Sequence, residues 1–374
     1  MTANKTKTAT GDVNMIKPIK SLQVFYNSQL VGTLALRRDN LCAFEYDTQW
    51  LQNGFSISPL MLPLQPGVFT SKWEPFDGLF GVFNDSLPDG WGRLLIDRLL
   101  RQQGVNPATL SPLDWLGIVG PKTMGALIYK PTQPISQDKQ DKTLSYLEQE
   151  TQKVLHDEPT EELSLLAAKG GSSGGARPKV LLTIDGAEWL IKFRNTQDPI
   201  NIGETEYKYS QIARQAGLIM PETRLFEGKY FGVKRFDRQG NKRIHMHTAA
   251  GLLNADFRIP SLDYKTLIET TLFLTHDMEE AEKMFRLMAF NVIGNNKDDH
   301  AKNFSFVYDK GRWSVSPAYD LVPSEGFNGQ HTTTVLGQGL PTEQDMLELA
   351  KQTSINHKRA VQIIEQVKSA FKGC

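Results

Sequence analysis

The chain has 374 residues, enough for two or three domains with substantial cores. Its 42 Lys and Arg balance 42 Asp and Glu, so no net field draws it to nucleic acid or to an anionic membrane, and DNA contact would need a basic partner. Two cysteines make no disulfide framework, the polar start lacks an apolar export segment, and no run reaches transmembrane length; a cytoplasmic protein is expected.

Residues 1–20, rich in Thr, Lys and Asn, are expected to form a disordered tail. Residues 21–130 read as a compact α+β unit. Strands at 22–26 and 30–36 form a hairpin about Asn27 and Ser28, and WGRLLIDRLLRQQ at 91–103 reads as a helix stopped by Gly104. The segment FNDSLPDG at 83–90 is dense in turn residues, with Asp89 a candidate N-cap, and reads as mainly structural. PTQPISQDKQDK at 131–142 is expected to be a mobile surface loop without apolar anchors, followed by helices near 144–155 and 160–168. Residues 131–168 are thus a linker with helices.

The centre opens with GGSSGGARPK at 170–179 and runs directly into strand 180–184, a turn at Asp185-Gly186, and strand 187–193. Asp-Gly between two apolar runs is a strong hairpin signal. A glycine-rich segment opening a hairpin can bring its backbone amides close to phosphate oxygens, because no Cβ intervenes. Lys192 lies on the second strand between apolar neighbours. A nucleotide site needs a fixed cation there, with an acidic partner on the next helix. GETEYKYSQIARQAG at 203–217 supplies that helix, Glu206 being the preferred partner and Glu204 the reserve. Strands at 222–226 and 230–236 complete the sheet of a lobe spanning 169–240. The second strand ends in VKRF at 233–236, where a hinge would bind an adenine edge through its backbone.

Residues 241–374 read as mostly helical, ending in helices at 343–351 and 356–371. Within them EEAEKMFRLMAFNVIG at 279–294 has helical periodicity, and a hairpin follows with strands at 304–308 and 312–316. Between helix and hairpin lies NNKDDHAKN at 295–303, a polar loop held by rigid elements. Asp298 and Asn303 are five residues apart, the spacing of base and metal-binding amide in a protein-kinase catalytic loop. Asp320 follows the returning strand, as a second metal ligand should. Hard oxygen donors of this kind suit magnesium rather than zinc. Phosphoryl transfer is the chemistry these residues suggest.

Four stretches taken in order, GGARPK at 174–179, VKRFDR at 233–238, DDHAKN at 298–303 and PAYD at 317–320, resemble signatures of the HipA family of serine/threonine kinases, toxins of bacterial toxin–antitoxin pairs. NDSLPD at 84–89 resembles that family's N-terminal domain, and the likeness runs from about residue 21 to the C-terminus. It implies a two-lobed, protein-kinase-like α+β fold with an N-terminal subdomain and a mostly helical C-lobe. It also implies Asp298 as catalytic base, with Asn303 and Asp320 holding Mg²⁺. ATP would meet Gly174, Gly175, Ala176, Arg177, Pro178, Lys179 and Lys192. Further contacts would come from Lys234, Arg235 and Phe236 at the hinge and from His300, Ala301, Lys302, Asn303, Tyr319 and Asp320. Family members carry a regulatory serine before the loop, whose autophosphorylation ejects it; Ser172 aligns, with Ser173 adjacent. Asp299 stands where relatives can have glycine, so the choice of base between the two aspartates is open, and Lys234 is basic where an acidic residue can occur. Substrates of relatives are aminoacyl-tRNA synthetases, and the usual partner is a small DNA-binding antitoxin, HipB. Two other readings are a nucleotide-binding corepressor without catalysis and a magnesium-dependent hydrolase using both aspartates.

Overall fold

The computed structural model describes residues 16–136, 142–172 and 174–373. Of the expected disordered tail, residues 1–15 lie outside the described residues, as does Ser173.

Alternation of apolar and polar side chains along Ser21–Tyr26 buries Leu22 and Val24 on one face. That strand pairs antiparallel with Gln29–Leu36 through Asn27 and Ser28, both in the left-handed region. The sheet has five strands, in the order Val68–Thr70, Cys42–Tyr46, Gln29–Leu36, Ser21–Tyr26 and Leu127–Lys130. Phe44, Phe83, Leu113 and Tyr129 fill its core.

The helix Gly90–Gln102 leaves this sheet and packs on Leu163–Gly170. The second helix starts later than the 160 expected, because Thr160 is drawn to Glu150 (2.6 Å) and also holds the Glu162 N–H. Trp91, Leu95 and Leu166 share one core with Val180, Trp189 and Ile191 of the next sheet, so the N-terminal unit and the second sheet are fused through apolar contact. Of the 131–142 segment, residues 131–136 are better anchored than their composition suggests. Gln133 exchanges hydrogen bonds with the backbone of Lys17, and Gln103 donates to the Ile135 carbonyl; residues 137–141 lie outside the described residues.

The second sheet has four strands, in the order Lys179–Ile184, Ala187–Lys192, Tyr230–Lys234 and Thr223–Phe226. Asp185 (φ 52°) and Gly186 (φ 74°) make the turn expected of Asp-Gly. The helix Ile202–Gln215 packs against its strands Thr223–Phe226 and Tyr230–Lys234.

The remaining residues are mainly helical around Met278–Ile293. Asp277 caps that helix by accepting the Glu279 N–H at 2.9 Å. Ala281, Met284, Phe285 and Met288 recur on its buried face and meet the helices Tyr264–Thr275 and His357–Lys372. Full burial of side chains such as Phe285 and Phe290 stabilises by roughly 2 kcal/mol each. The hairpin Ser305–Asp309 and Arg312–Val315 gains a third strand, His245–Thr248, which sequence periodicity did not reveal. Among the described residues, no helix is long and apolar enough to cross a membrane.

Polar contacts tie the N-terminal sheet to the rest. Asp85 accepts from the Thr248 N–H (2.8 Å) and hydroxyl (2.6 Å) and lies 2.7 Å from His247 Nδ1. The opposite His247 nitrogen is 2.9 Å from the buried Ser58 hydroxyl.

Candidate active site

The cleft between the second sheet and the helical lobe gathers residues from four chain segments. Lys192 ends its strand pointing at acids: Nζ donates to Glu206 at 3.1 Å and to Asp320 at 2.5 Å. Glu206 is buried while Glu204 is exposed, because residues two apart on a helix face different ways. Arg177 joins the same carboxylate at 2.9 Å and reaches Asp198 at 3.2 Å. Burial alone would raise the Asp320 pKa, but Lys192, Lys179 and Arg177 overcome it and hold the carboxyl well below the ordinary range. Asp320 also has φ 56°, a left-handed conformation a non-glycine residue adopts only when its surroundings enforce it. A cavity of about 230 Å³ is lined by Arg177, Lys192, Phe193, Glu206 and Tyr230; it shares the ion pair with the site, and neither Asp298 nor Asp320 lines it.

The loop after Met278–Ile293 separates its two aspartates sharply. Asp299 is wholly buried. It accepts from Tyr264 OH (2.7 Å) and from the N–H groups of Thr332 (2.8 Å) and Thr333 (3.1 Å), and it lies 2.9 Å from His331 Nδ1. With its lone pairs committed, it anchors the loop. The Asp298 side chain is open to solvent, while its backbone N–H is fixed by Ser324 at 2.8 Å. Although the residue keeps a solvent-exposed face, the protein packed on its other side, with help from Asp320 and Asp299, raises its pKa from the ordinary value, against the pull of His300 and Arg177. Asn303 Nδ2 donates to the Asp298 carbonyl at 2.8 Å, which turns the amide oxygen away from that bond.

Several expected contacts take other roles. Lys234 N–H donates to Glu222 O (2.8 Å) and Arg235 N–H to Glu188 O (2.9 Å), so sheet pairing has already used these hinge donors. The Lys234 ammonium pairs with Glu222 at the surface. Arg235 is buried away from the cleft, bound to Asp237 (2.7 Å), Glu188 (3.0 Å) and the Thr123 carbonyl. Arg238 reaches the same carbonyl and that of Gly125. The charges in VKRFDR therefore fasten the hinge to the N-terminal unit. Phe236 and Tyr319 remain facing each other, ring centroids 6.0 Å apart. Tyr319 OH lies 2.7 Å from the Lys302 carbonyl and 2.5 Å from Ser305 Oγ, bracing the polar loop. Ala301 and Pro178 are buried backbone supports, and His300 leaves its Nδ1 buried without a hydrogen bond. Ser172 is buried at the end of the Leu163–Gly170 helix.

The glycine-rich loop is held from an unexpected direction. Asp89 stands at the N-cap position of Gly90–Gln102 but makes no capping bond. One of its carboxylate oxygens accepts the Gly175 N–H and the other binds Lys302 Nζ. Burial would raise the Asp89 pKa, yet Lys302, the Gly175 N–H and Lys179 keep it low. Lys179 Nζ donates to the Gly174 carbonyl at 2.5 Å; burial and nearby Lys192 push it down to about 8 despite Asp320, Asp89 and Glu206. The sequence signal for Asp89 was the Pro-Asp-Gly run, which equally suits a cap.

The two residues expected to hold magnesium, Asp320 and Asn303, offer one carboxylate and one amide oxygen. Among the described residues, no group of three or more His, Cys, Asp or Glu forms a ready-made cage. One carboxylate with one neutral oxygen suits an ion that keeps waters and substrate phosphates as its other ligands.

Fold and cleft define the class: a two-lobed, protein-kinase-like α+β protein preceded by an N-terminal α+β unit. Residues 171–373, more than half of the chain, match the HipA-like C-terminal domain, and residues 22–130 match the HipA N-terminal domain. The chain belongs to the HipA family. A Sinorhizobium fredii protein provisionally named as a kinase, Y4dM, is 23% identical, with 94% of this chain and 90% of that protein covered. The serine/threonine-protein kinase toxin HipA of Shewanella oneidensis is 22% identical, with 81% of this chain and 75% of that protein covered. A solved Shewanella oneidensis complex of HipA, HipB and operator DNA includes a chain that superposes with TM-score 0.70 at 19% identity, covering 92% of this chain and 88% of that one.

Proposed function

We propose that this protein is an ATP- and magnesium-dependent serine/threonine protein kinase, the toxin of a type II toxin–antitoxin pair. The observation that carries the reading is the position of Lys192 between Glu206 and Asp320, beside a solvent-open Asp298 whose twin, Asp299, is buried and committed. This is the arrangement phosphoryl transfer needs, where catalysis is mostly positioning and electrostatics.

In this reading Lys192, held by Glu206, meets the ATP phosphates with Lys179, Arg177 and the loop Gly174, Gly175, Ala176 and Pro178. Asp320 and Asn303 are the residues that would hold magnesium, which neutralises phosphate charge when bound. Asp298 accepts the proton of the substrate hydroxyl as its oxygen bonds to the γ-phosphorus and the bridging oxygen leaves with ADP. Phe236 and Tyr319 flank the base. Ser172 is the regulatory phosphosite, since a dianion beside ATP phosphates cannot share their amide cradle. The protein substrate is a translation component such as an aminoacyl-tRNA synthetase. The partner is a HipB-like antitoxin, which would bring a chain of zero formal net charge to DNA.

The test is incubation of phosphatase-treated protein with Mg-ATP beside Asp298→Asn, with phosphosites mapped by mass spectrometry. Phosphate on Ser172 in the wild type alone is expected. No phosphate on the wild type, with ATP bound, would replace this reading with that of a nucleotide-binding corepressor.

A further inference from the structure

The glycine-rich loop is pinned at one residue from both sides of its backbone, and both pins come from the N-terminal unit. Gly175 N–H donates to the Asp89 carboxylate, and Gly175 C=O accepts the Trp91 N–H at 3.1 Å. Gly90, between the two pins, permits the approach: a Cβ there would lie 2.5 Å from Gly175 O and 2.6 Å from Ala176 Cα, and its φ is 43°. The second Asp89 oxygen reaches across to Lys302 in the polar loop. Trp91 Nε1 adds a bond to the Lys179 carbonyl at 3.2 Å, where the loop becomes a strand.

We propose that Asp89, with Gly90 and the Trp91 N–H, is a latch by which the N-terminal domain holds the glycine-rich loop over the nucleotide site and aligns Lys302 with it. Asp89 is then a positioning residue for phosphoryl transfer, and the inference rests on the kinase reading of the cleft. The physical reason is one of rigidity. A loop rich in glycine has large conformational freedom, and its amides can be preorganised for phosphate only if something outside the loop fixes it. Each of the two carboxylate bonds is charge-assisted, with a backbone N–H and an ammonium as donors, so losing both costs far more than losing an ordinary surface contact.

The experiment is hydrogen exchange of the amides of residues 174–177 and 179 in the full chain without nucleotide, paired with calorimetric binding of Mg-ADP. Asp89→Ala is expected to raise loop exchange and weaken ADP binding, each by roughly tenfold. Asp89→Asn, which keeps an acceptor for Gly175 but loses the charge for Lys302, should fall between. Gly90→Ala leaves every charge in place and should open the loop by crowding it, which keeps the test intact should Asp89→Ala fold poorly. In steady-state kinetics the Asp89 variants should raise KM for ATP more than they lower kcat, a split that general destabilisation does not produce. Unchanged loop exchange in folded Asp89→Ala would overturn the latch, and tighter ADP binding would recast Asp89 as a competitor of phosphate. A wild type that binds no nucleotide, with exchange still governed by Asp89, would overturn the kinase reading and leave the latch standing.

Discussion

Lys192 Nζ lies 2.5 Å from Asp320 Oδ1, a contact between residues 128 positions apart that joins the second sheet to the segment following the C-lobe hairpin. Glu206 holds the same ammonium at 3.1 Å, so one cation sits between two lobes and answers to an acid from each. Binding of phosphates with a metal ion would redistribute this charge: the ammonium would turn toward phosphate and Asp320 toward the ion. Lys192→Met should therefore lower kcat/KM for ATP by roughly 10- to 100-fold, the loss expected for a charged hydrogen bond in a desolvated site. Steady-state phosphorylation assays check it, and unchanged turnover would remove Lys192 from phosphate contact.

The two adjacent aspartates should respond to mutation in opposite ways. Asp298→Asn is expected to lower phosphoryl transfer by roughly 10²–10⁴-fold while ADP binding and the melting temperature hold. Asp299→Ala is expected to destabilise the fold by roughly 3 kcal/mol, because it orphans the donors of Tyr264, Thr332 and Thr333. Thermal melts beside a transfer assay separate the two; wild-type activity in Asp298→Asn would move the base elsewhere.

The pH dependence has a definite sign. In the kinase reading Asp298 acts as base only when deprotonated, and partial burial raises its pKa. Activity should then fall as pH drops through that raised value, so the acid limb of kcat/KM lies above the ordinary carboxylate value of about 3.9. The limb should vanish in Asp298→Asn at its residual rate.

Lys179 offers a readout independent of turnover. Its ammonium is pushed down to about 8 by burial and by Lys192. Phosphate oxygens would favour the charged form, so Mg-ADP binding above about pH 8 should take up a proton and weaken as pH rises. Calorimetry in buffers of differing ionisation heat at about pH 9 measures the uptake, and Lys179→Met should abolish it.

Asp85 is expected to matter for stability and not for chemistry. Its carboxylate satisfies two Thr248 donors and sits against His247. Asp85→Ala should cost roughly 2–4 kcal/mol through the unpaired groups it leaves at a domain junction. Denaturant unfolding checks it; an unchanged midpoint would show that water replaces the carboxylate there.

Much of the local structure was legible in the chain. The Asp185-Gly186 turn needs positive φ, and the Met284, Phe285, Met288 spacing needs one buried helical face; each is a demand that neighbours in sequence can state by themselves. The pairing of Lys192 with Glu206 follows from the order of strand and helix in the chain, and the fold brings the two within 3.1 Å. What sequence could not decide was where a charge goes once distant segments meet. Arg235 lies in a motif that suggests a nucleotide hinge, yet Asp237, Glu188 and the Thr123 carbonyl claim it. Asp89 has the local grammar of a helix cap, but a helix N-terminus can be satisfied by water, whereas Gly175 and Lys302 are brought beside it by the fold and bind it more strongly. Asp298 and Asp299 are identical in type and adjacent in sequence. Only the packing of Tyr264, His331 and Thr333 around one of them made it structural and left the other open to the cleft, because burial and hydrogen-bond partners are properties of tertiary contact and not of spacing.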